Sequence, residues 1–567
     1  MATGYSTEAQ TLGGRSRPSF YWPTTAGSSL IFLVIPIVFV IAICQLTTAK
    51  GPQWLPPTFE NPYNYLFNSL LVIDGRAPVY TDHPGTTTEI FGAIILRISS
   101  FKPSGHLIYS ALSHPEAQIK RLHWALLIFS ALILWILPWL TALAVRSHIA
   151  GISIQAPCLF SKTLLFYGTF FGSDLMVIPF SVAAVCCCVL ISVSSSVPEK
   201  LEFLFAIRIA SADANPLRLR RVPVPLLPAL MGLVCAFGMA TKLTFFPLIL
   251  ISVLCCRSRS NLQAFSISFL FGLAFALLPI YWQLWRLVNW AVGLGLHSGT
   301  YATGDIGFPQ SNAYLSSLSN LVRTEPLILA VTIVVTVLLL TCLLLFTKQA
   351  SLNRISWKIV LALFAIQVAS FFAIAKENGL QYLIPLFITT GLNLVFLFQA
   401  CRSTESARLT KIVRWIGLIV LLTLGSESLV SETIKTSTKL QKEKAELLRL
   451  YSHAMEITKN DVRVDYFFSD SPLYPLCYGD DYADRAYAQL LARMYPNALF
   501  LNVFSAKFES FTGFIEPEVV LQNHDHLYFL GKRNWFPKMK GFDMASFETI
   551  DHAGDYYLQK WTRKVSP

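Results

Sequence analysis

GLVCAFGMATKLTFFPLIL, residues 232–250, sets a threonine and a lysine in the middle of an apolar run. The run extends over residues 224–256. As one helix it would be roughly 50 Å long at about 1.5 Å per residue, against a hydrocarbon core of about 30 Å. A lone Lys242 at mid-bilayer would cost about 2.5–3.5 kcal/mol on insertion scales. Two short helices with Thr241-Lys242 at the turn put the ammonium at a membrane face instead. Residues 162–195 pose the same question, because Gly172-Ser173-Asp174 interrupts an apolar run of similar length.

The loop between the two runs decides. Residues 196–223 carry Lys200, Arg208, Arg218, Arg220 and Arg221. If each run crosses once, this basic loop faces outside. If each run is a hairpin, it faces the cytoplasm, as the positive-inside bias requires. Both arguments favour hairpins. The remaining spans are expected at 28–47, 121–145, 262–283, 326–347, 356–375, 381–400 and 412–430. The expected fold is therefore mainly α, a polytopic membrane protein of about eleven transmembrane helices, with a cytoplasmic N-terminus and an external C-terminus. The other inner loops agree: they hold Arg146 and Lys162, then Arg257 and Arg259, then Lys348, Arg354 and Lys358, then Arg402, Arg408, Lys411 and Arg414.

Composition supports the same class. Of 567 residues, 54% are hydrophobic and 14% charged, with mean hydropathy +0.52, a balance that needs lipid around it. The net charge of +12 sits in short loops between apolar runs, which points to membrane topology and not to nucleic acid. The expected domains are a flexible cytoplasmic N-terminus at 1–27, a transmembrane domain at 28–430 and an external domain at 431–567. No cleavable signal pattern precedes the first apolar run. Cysteines cluster in apolar stretches such as AAVCCCVLIS (183–192), and only Cys477 lies in the polar C-terminal region, which therefore has no internal disulfide.

In that region, 431–458 reads as a charged helix leaving the membrane. VRVDYFF (462–468), ALFLNVF (498–504) and DHLYFLG (525–531) read as strands, and GDDYADRAYAQLLARMYP (479–496) as a helix. The order predicts a small α/β domain. SDSPLYPLCYGDDYAD (469–484) is expected as a polar loop at a strand end. The first external loop, 48–120, contains FNSLLVID (67–74) and TEIFGAIILRIS (88–99), too short to span and expected as interfacial helices on the outer face.

This topology gathers the unusual polar residues at one face: Glu60, Asp74, Asp82, His83, Asp174, Lys242, His297, Asp305, Lys376 and Glu377. Such a collection beside interfacial helices suits a substrate that is half lipid and half polar. An acid there can take a proton from an acceptor, and a lysine can hold a phosphate as a point charge. Each residue also has a structural reading. Asp82 and Asp174 could cap the helices that follow them, His83 could be a hydrogen-bonded core histidine, and Lys242 could snorkel from a helix end. In TDHPG (81–85), Pro84 fixes the backbone and Gly85 permits a tight turn. No Walker loop, zinc-protease helix or paired C-x-x-C is present.

In order along the chain, FENPYNYLFNSLLVIDGRAPVYTDHPGTT (59–87), FGSDLMVIPFSVAAV (171–185), GLVCAFGMATKLTFFPLIL and KENGLQYLIPLF (376–387) resemble segments of the GT-C superfamily of integral-membrane glycosyltransferases. That superfamily includes protein O-mannosyltransferases and lipid A aminoarabinose transferases, and DHPGT is similar to a bacterial subgroup. The likeness covers roughly 28–430. Three departures stand out: Glu60-Asn61 replaces an acidic pair, HPG replaces HPP, and Gln381 replaces an arginine. The resemblance implies a multi-pass protein of the bacterial inner membrane. It would move a sugar, with inversion, from a polyprenyl-phosphate donor to a lipid, glycan or protein acceptor at the outer face. Glu60 is the first choice of base and Asp82 the second. Lys242 and Lys376 would hold the donor phosphate, and His83, Asp174, Tyr301 and Tyr382 would line the substrate pocket. No metal ligand is assigned and no cofactor is demanded, although a divalent metal ion is compatible with the acids. The rival readings are a transporter or flippase of lipid-linked sugars, with charges near the midplane and repeated halves, and a non-catalytic membrane scaffold.

Overall fold

The computed structural model describes residues 27–55, 62–81, 83–194, 203–205, 220–222, 226–299, 304–307, 309–345, 357–377, 379–400, 407–466, 471–502, 505–533 and 547–563. Among the described residues, eight helical segments are long and apolar enough to cross a membrane by length and composition: Ile31–Lys50, Pro115–Val145, Ser173–Ser192, Arg259–Leu296, Pro326–Leu343, Lys358–Ala375, Leu380–Ala400 and Arg414–Ile457. Three shorter apolar segments accompany them, His148–Phe160, Leu226–Thr241 and Leu243–Cys255.

The hairpin expected at 224–256 is present. Helix Leu226–Thr241 ends where Lys242 turns extended, at φ −158° and ψ 131°, and Phe246–Cys255 runs back. The arms are antiparallel, because Cys235 Sγ lies 3.4 Å from Ser252 Oγ. Both rest on helix Ser173–Ser194, whose Cys188 Sγ is 3.8 Å from Met231 Sδ and 3.6 Å from Ser252 Oγ.

The other hairpin turns at Gly172-Ser173-Asp174 as expected, but its first arm starts earlier than residue 162. It begins at His148 and is broken into His148–Gln155, Pro157–Phe160 and Lys162–Tyr167. Gly151 lets it lie against the preceding helix, where an added Cβ would come within 2.5 Å of the Pro138 carbonyl. Pro157 and the Ser161 cap then restart the helix. Lys162 is thus not in a loop at the far end. Its Nζ is 2.7 Å from Glu432 Oε2, and its amide donates to Glu325 Oε2 at 3.2 Å. The Glu325 carboxylate also accepts from the Thr163 amide and from Ser161 Oγ, so an acid caps this short helix with charge-assisted bonds.

Two helices form the centre of the bundle. Ser173–Ser192 and Leu380–Ala400 are 89% and 94% buried over their apolar windows, while the other six candidate spans are 22–39% buried and present apolar side chains outward. The polar residues of the centre bond one another. Asn393 Nδ2 donates to Gln367 Oε1 at 3.1 Å and to Thr336 Oγ1 at 3.2 Å, and Gln367 Nε2 donates to Thr389 Oγ1 at 2.7 Å. In an apolar bundle these bonds fix neighbouring helices in register.

Helix Ala407–Ile457 runs for 51 residues, about 77 Å at the usual rise, from the bundle into the C-terminal domain. Lys444 Nζ bonds the Thr48 carbonyl at 3.2 Å, and Arg449 and His453 both bond Asp551 of the sheet. In chain order, β1 (Phe203–Phe205) and β2 (Arg220–Val222) form a small hairpin in the basic loop. The domain contains β3 (Val462–Asp465), β4 (Leu499–Asn502), β5 (Lys507–Ser510), β6 (Gly513–Ile515), β7 (His526–Lys532), β8 (Phe547–Ala553) and β9 (Tyr556–Thr562). Their order is β6-β5-β4-β3-β7-β9-β8, with β3 parallel to β4 and β7 and the other pairs antiparallel. Val464, Leu501, Phe508 and Phe529 are fully buried in its core.

Two expectations for this region change. Residues 479–496 do not form one helix: Tyr474–Asp481 and Ala488–Met494 flank a turn in which Asp484 and Arg485 have φ of 55° and 53°. The stretch expected as a polar loop is thus partly helix Tyr474–Asp481. That helix covers Pro62–Ile73 of the first loop, where an added Cβ on Gly479 would meet Phe67 at 2.9 Å. Helix Pro62–Ile73 is therefore buried at every position but Val72, and it does not lie on a membrane face. Helix Thr86–Ser99 keeps Ile94 and Ile98 exposed, as an interfacial helix does.

Candidate functional site

The site is at the end of the bundle that carries the C-terminal domain. Asn68, on the buried helix of the first loop, organises its approach. Its Oδ1 accepts from the Val79 amide at 2.7 Å and the Tyr80 amide at 3.1 Å. Its Nδ2 donates to the Asn64 carbonyl at 2.8 Å and the Tyr482 carbonyl of the C-terminal domain at 3.1 Å. Tyr80 stacks edge-on against Tyr482 with ring centres 5.0 Å apart. One side chain thus fixes the segment that leads into TDHPG and ties it to the domain above.

Gly85 adopts φ +65°, a left-handed turn that glycine takes without strain, and so reverses the chain into helix Thr86–Ser99. The turn is stitched to the tip of the lysine hairpin. The Gly85 amide donates to the Thr241 carbonyl at 3.3 Å, Thr86 Oγ1 to the Ala240 carbonyl at 3.3 Å, and the Thr87 and Thr241 hydroxyls lie 2.5 Å apart.

Next to these bonds, Lys242 Nζ lies 2.7 Å from Asp174 Oδ1, with the lysine side chain 0% and the aspartate 4% exposed. The tips of the two hairpins are joined by this pair. Lys242 therefore does not snorkel to water. The ammonium stands 5.1 Å from the centre of the Tyr382 ring, close enough for a cation–π attraction. The His83 ring packs 5.7 Å from Tyr382 and 5.3 Å, edge-on, from Trp290. Tyr382 is held by the turn at Gly379 and by its neighbour Gln381, whose Oε1 accepts from Tyr167 at 2.8 Å.

Four residues singled out in the sequence, His83, Asp174, Lys242 and Tyr382, are thus brought together. Lys376 is connected to them only indirectly: its Nζ bonds the Leu294 carbonyl on the helix that carries Trp290. Glu60, Asp82 and Tyr301 lie outside the described residues.

Sequence reasoning missed three contributors. Trp290 carries no local signal. Glu116 accepts from the Gln53 and Trp54 amides at 2.8 and 3.1 Å and from Tyr63 Oη at 2.7 Å, and so fixes the start of the first loop. Glu89, one turn into helix Thr86–Ser99, is fully buried, and neither carboxylate oxygen has a hydrogen-bond partner among the described residues. Burial pushes its carboxyl well above the ordinary range, because desolvation disfavours the charged form. An acid four residues past a Pro-Gly turn was the available signal.

A second charged cluster lies in the C-terminal domain. Among the described residues, Cys477, Asp481 and Glu509 are the one group of three metal-type ligands close together, within 4.8 Å of one another. Arg485 occupies the position a cation would take: its Nε donates to Asp481 Oδ1 at 2.8 Å, and another of its nitrogens bonds Glu509. Burial and the neighbouring carboxylates push the Cys477 thiol up, away from the thiolate a metal binds. As arranged, this cluster is centred on a guanidinium and does not fit a divalent ion.

No protein-family model and no curated protein matches the sequence. Among solved structures, the chain is similar to ArnT from Cupriavidus metallidurans in the apo state, with 11% identity, 94% of this chain and 98% of that chain covered, and a TM-score of 0.48. It is similar to the same protein bound to undecaprenyl phosphate at 10% identity, 94% and 98% coverage and a TM-score of 0.47. It is also similar to the archaeal oligosaccharyltransferase AglB from Archaeoglobus fulgidus, in complex with an inhibitory peptide and a dolichol-phosphate, at 11% identity, 88% and 69% coverage and a TM-score of 0.40.

Proposed function

We propose that this protein is a membrane glycosyltransferase that moves a sugar from a polyprenyl-phosphate donor to a lipid, glycan or protein acceptor at the outer face of a bacterial inner membrane. The observation that carries the reading is the buried Lys242–Asp174 pair walled by His83 and Tyr382 at one end of the bundle. The donor class comes from the sequence resemblance. The orientation, with 1–27 and 196–223 cytoplasmic and 431–567 external, comes from the positive-inside bias.

In this mechanism Lys242 exchanges its partner: the ammonium that rests on Asp174 turns to the donor phosphate, whose charge it neutralises in a dry site. The Tyr382 and His83 rings hold the sugar and exclude water. The acceptor oxygen or nitrogen attacks the anomeric carbon, the bond from that carbon to the phosphate oxygen breaks, and the electron pair leaves on the phosphate. A carboxylate takes the acceptor proton; Glu60 is the first choice and Asp82 the second. One direct displacement inverts the configuration. Lys376 and Tyr301 complete the approach to the donor. A divalent metal ion is not required by this scheme.

The test is transfer by the full chain in lipid nanodiscs supplied with radiolabelled polyprenyl-phosphate sugars and mixed acceptors. Wild-type protein should release polyprenyl phosphate and label an acceptor, Lys242→Met should do neither, and Glu60→Gln should keep donor binding while losing turnover. Movement of intact donor across the bilayer without cleavage would replace this reading with a flippase.

A further inference from the structure

The apolar segment Arg259–Leu296 is 38 residues long. Straight, it would reach about 57 Å, nearly twice the hydrocarbon core. It is not straight: Ile280 leaves helical geometry, at φ −116° and ψ 19°, and helix Leu284–Leu296 follows. This second part runs across the domain end of the bundle. Gln283 Nε2 bonds the Pro78 carbonyl at 3.1 Å, Trp290 packs on His83, and the Leu294 carbonyl bonds Lys376.

Its two faces differ. Leu287, Trp290 and Leu294 look toward the protein, with Leu287 buried and Trp290 and Leu294 half-buried. Trp285, Val288, Val292 and Leu296 recur at helical spacing on the other side, continued upstream by Tyr281 and Trp282, and all six are exposed, Trp285 to 73%. Arg286 lies at the edge of this stripe. Thirteen residues cannot span a bilayer, yet the helix continues directly from one that is long and apolar enough to do so. Tryptophan and tyrosine on the outward face are the side chains that settle at the headgroup level.

We propose that helix Leu284–Leu296 lies in the phospholipid interface with its Trp285 face in the bilayer, and that it thereby presses Trp290 onto His83. The protein's seating in lipid then sets the wall of the site. The lipid contact does not rest on sugar transfer, and its test does not use that activity.

Spin labels are placed singly at positions 285, 288 and 292 and at 286, in full-length protein whose reactive native cysteines are replaced by alanine, in phosphatidylcholine nanodiscs. Collision of the labels with oxygen and with a water-soluble nickel chelate reports their depth. Labels at 285, 288 and 292 should meet oxygen and be shielded from nickel, and the label at 286 should meet nickel more often. Free access of nickel to all four overturns the proposal, and so does shielding of the stripe from both reagents, which would mean that a protein surface covers it. The coupling is read separately by mass spectrometry of histidine modification with diethyl pyrocarbonate. Trp285→Glu, which lifts the helix from lipid, should raise modification of His83 several-fold relative to exposed His526, and Trp285→Phe should not. An unchanged His83 rate in a Trp285→Glu protein with altered depth overturns the link to the site.

Discussion

Two of the clusters that set a cation against carboxylates among the described residues, one fully buried and one partly exposed, are built differently. At the hairpin tips, the compact ammonium of Lys242 meets one oxygen of Asp174 among aromatic rings, with 0% and 4% of the side chains exposed. In the C-terminal domain, the planar fork of Arg485 spans Asp481 and Glu509, with 31% of Arg485 exposed. A guanidinium fixed by two carboxylates is a structural clamp, because its donors are pre-arranged and none is easily exchanged. An ammonium is a point charge that can pivot. A deeply buried pair is also weak evidence for stability, since desolvation offsets most of its attraction. The clamp therefore serves the domain fold, and the deeper pair is the one whose presence stability alone does not explain.

The largest expected effect tests that difference. Lys242→Met takes the ammonium away from the buried Asp174 carboxylate and should cost up to about 3–5 kcal/mol. Lys242→Met with Asp174→Leu removes both charges and should recover most of that loss, while donor binding and transfer stay abolished. Thermal unfolding in detergent gives the stabilities, and labelled donor gives the binding. If the double variant is as unstable as the single one, the pair is structural like its counterpart and the contrast disappears.

Much of this pair was legible in the sequence, and the reason is physical. An Asp or Lys inside a long apolar run has to reach a membrane face or find a partner, so Asp174 and Lys242 mark hairpin tips. That they partner each other, 68 residues apart, is a tertiary fact. His83 was legible through the Pro-Gly turn that follows it, but Trp290 was not, because an aromatic on an amphipathic helix has no distinguishing pattern. Helix Pro62–Ile73 was misjudged because its short apolar pattern is the same whether lipid or a protein domain covers it. The first arm of the Asp174 hairpin was placed too late in the chain, at residue 162, because Gly151, Pro157 and Ser161 interrupt it, and the arm uses them for close packing and for restarting the helix. The turn at Asp484 and Arg485 was hidden by good helix formers around it; the Asp481 and Glu509 bonds to Arg485 hold it against that propensity.

The next effect belongs to the domain cluster and to pH. Asp480 is buried where helix Tyr474–Asp481 meets the first loop, and its Oδ1 accepts from the Tyr487 amide at 2.9 Å. Burial, only partly offset by that bond, raises its carboxyl from 3.8 to about 7. A raised carboxyl favours the folded protein fully below its unfolded value, and the contribution is lost as pH rises through about 7. The shift corresponds to at most about 4 kcal/mol. Domain stability should therefore fall between about pH 4 and pH 7, and Asp480→Asn, which keeps an acceptor for the Tyr487 amide, should flatten that slope and be the more stable protein above pH 7. Urea unfolding followed across this range checks it. Identical slopes in the two proteins would mean that Asp480 is not the group responsible.

The smallest effect sharpens the comparison by exchanging the cations. Arg485→Lys replaces the fork with a point charge that can meet Asp481 or Glu509 but not hold both at the original angles. Because the guanidinium is partly exposed and water screens what is lost, the expected cost is only about 1 kcal/mol. It should be read as earlier proteolysis or unfolding of the turn at Asp484, with sugar transfer and donor binding at wild-type level, since Arg485 bonds Asp481 and Glu509 whereas Lys242 bonds Asp174. Lys242→Arg is the mirror change. A planar guanidinium is larger than the fully buried ammonium it replaces and cannot settle between Asp174 and the Tyr382 ring without displacing one of them. Charge is conserved in both exchanges, so any difference between them reports shape and mobility of the cation. If Arg485→Lys abolished transfer, or if Lys242→Arg left it intact, the assignment of a fixed clamp to one cluster and an exchangeable charge to the other would be reversed.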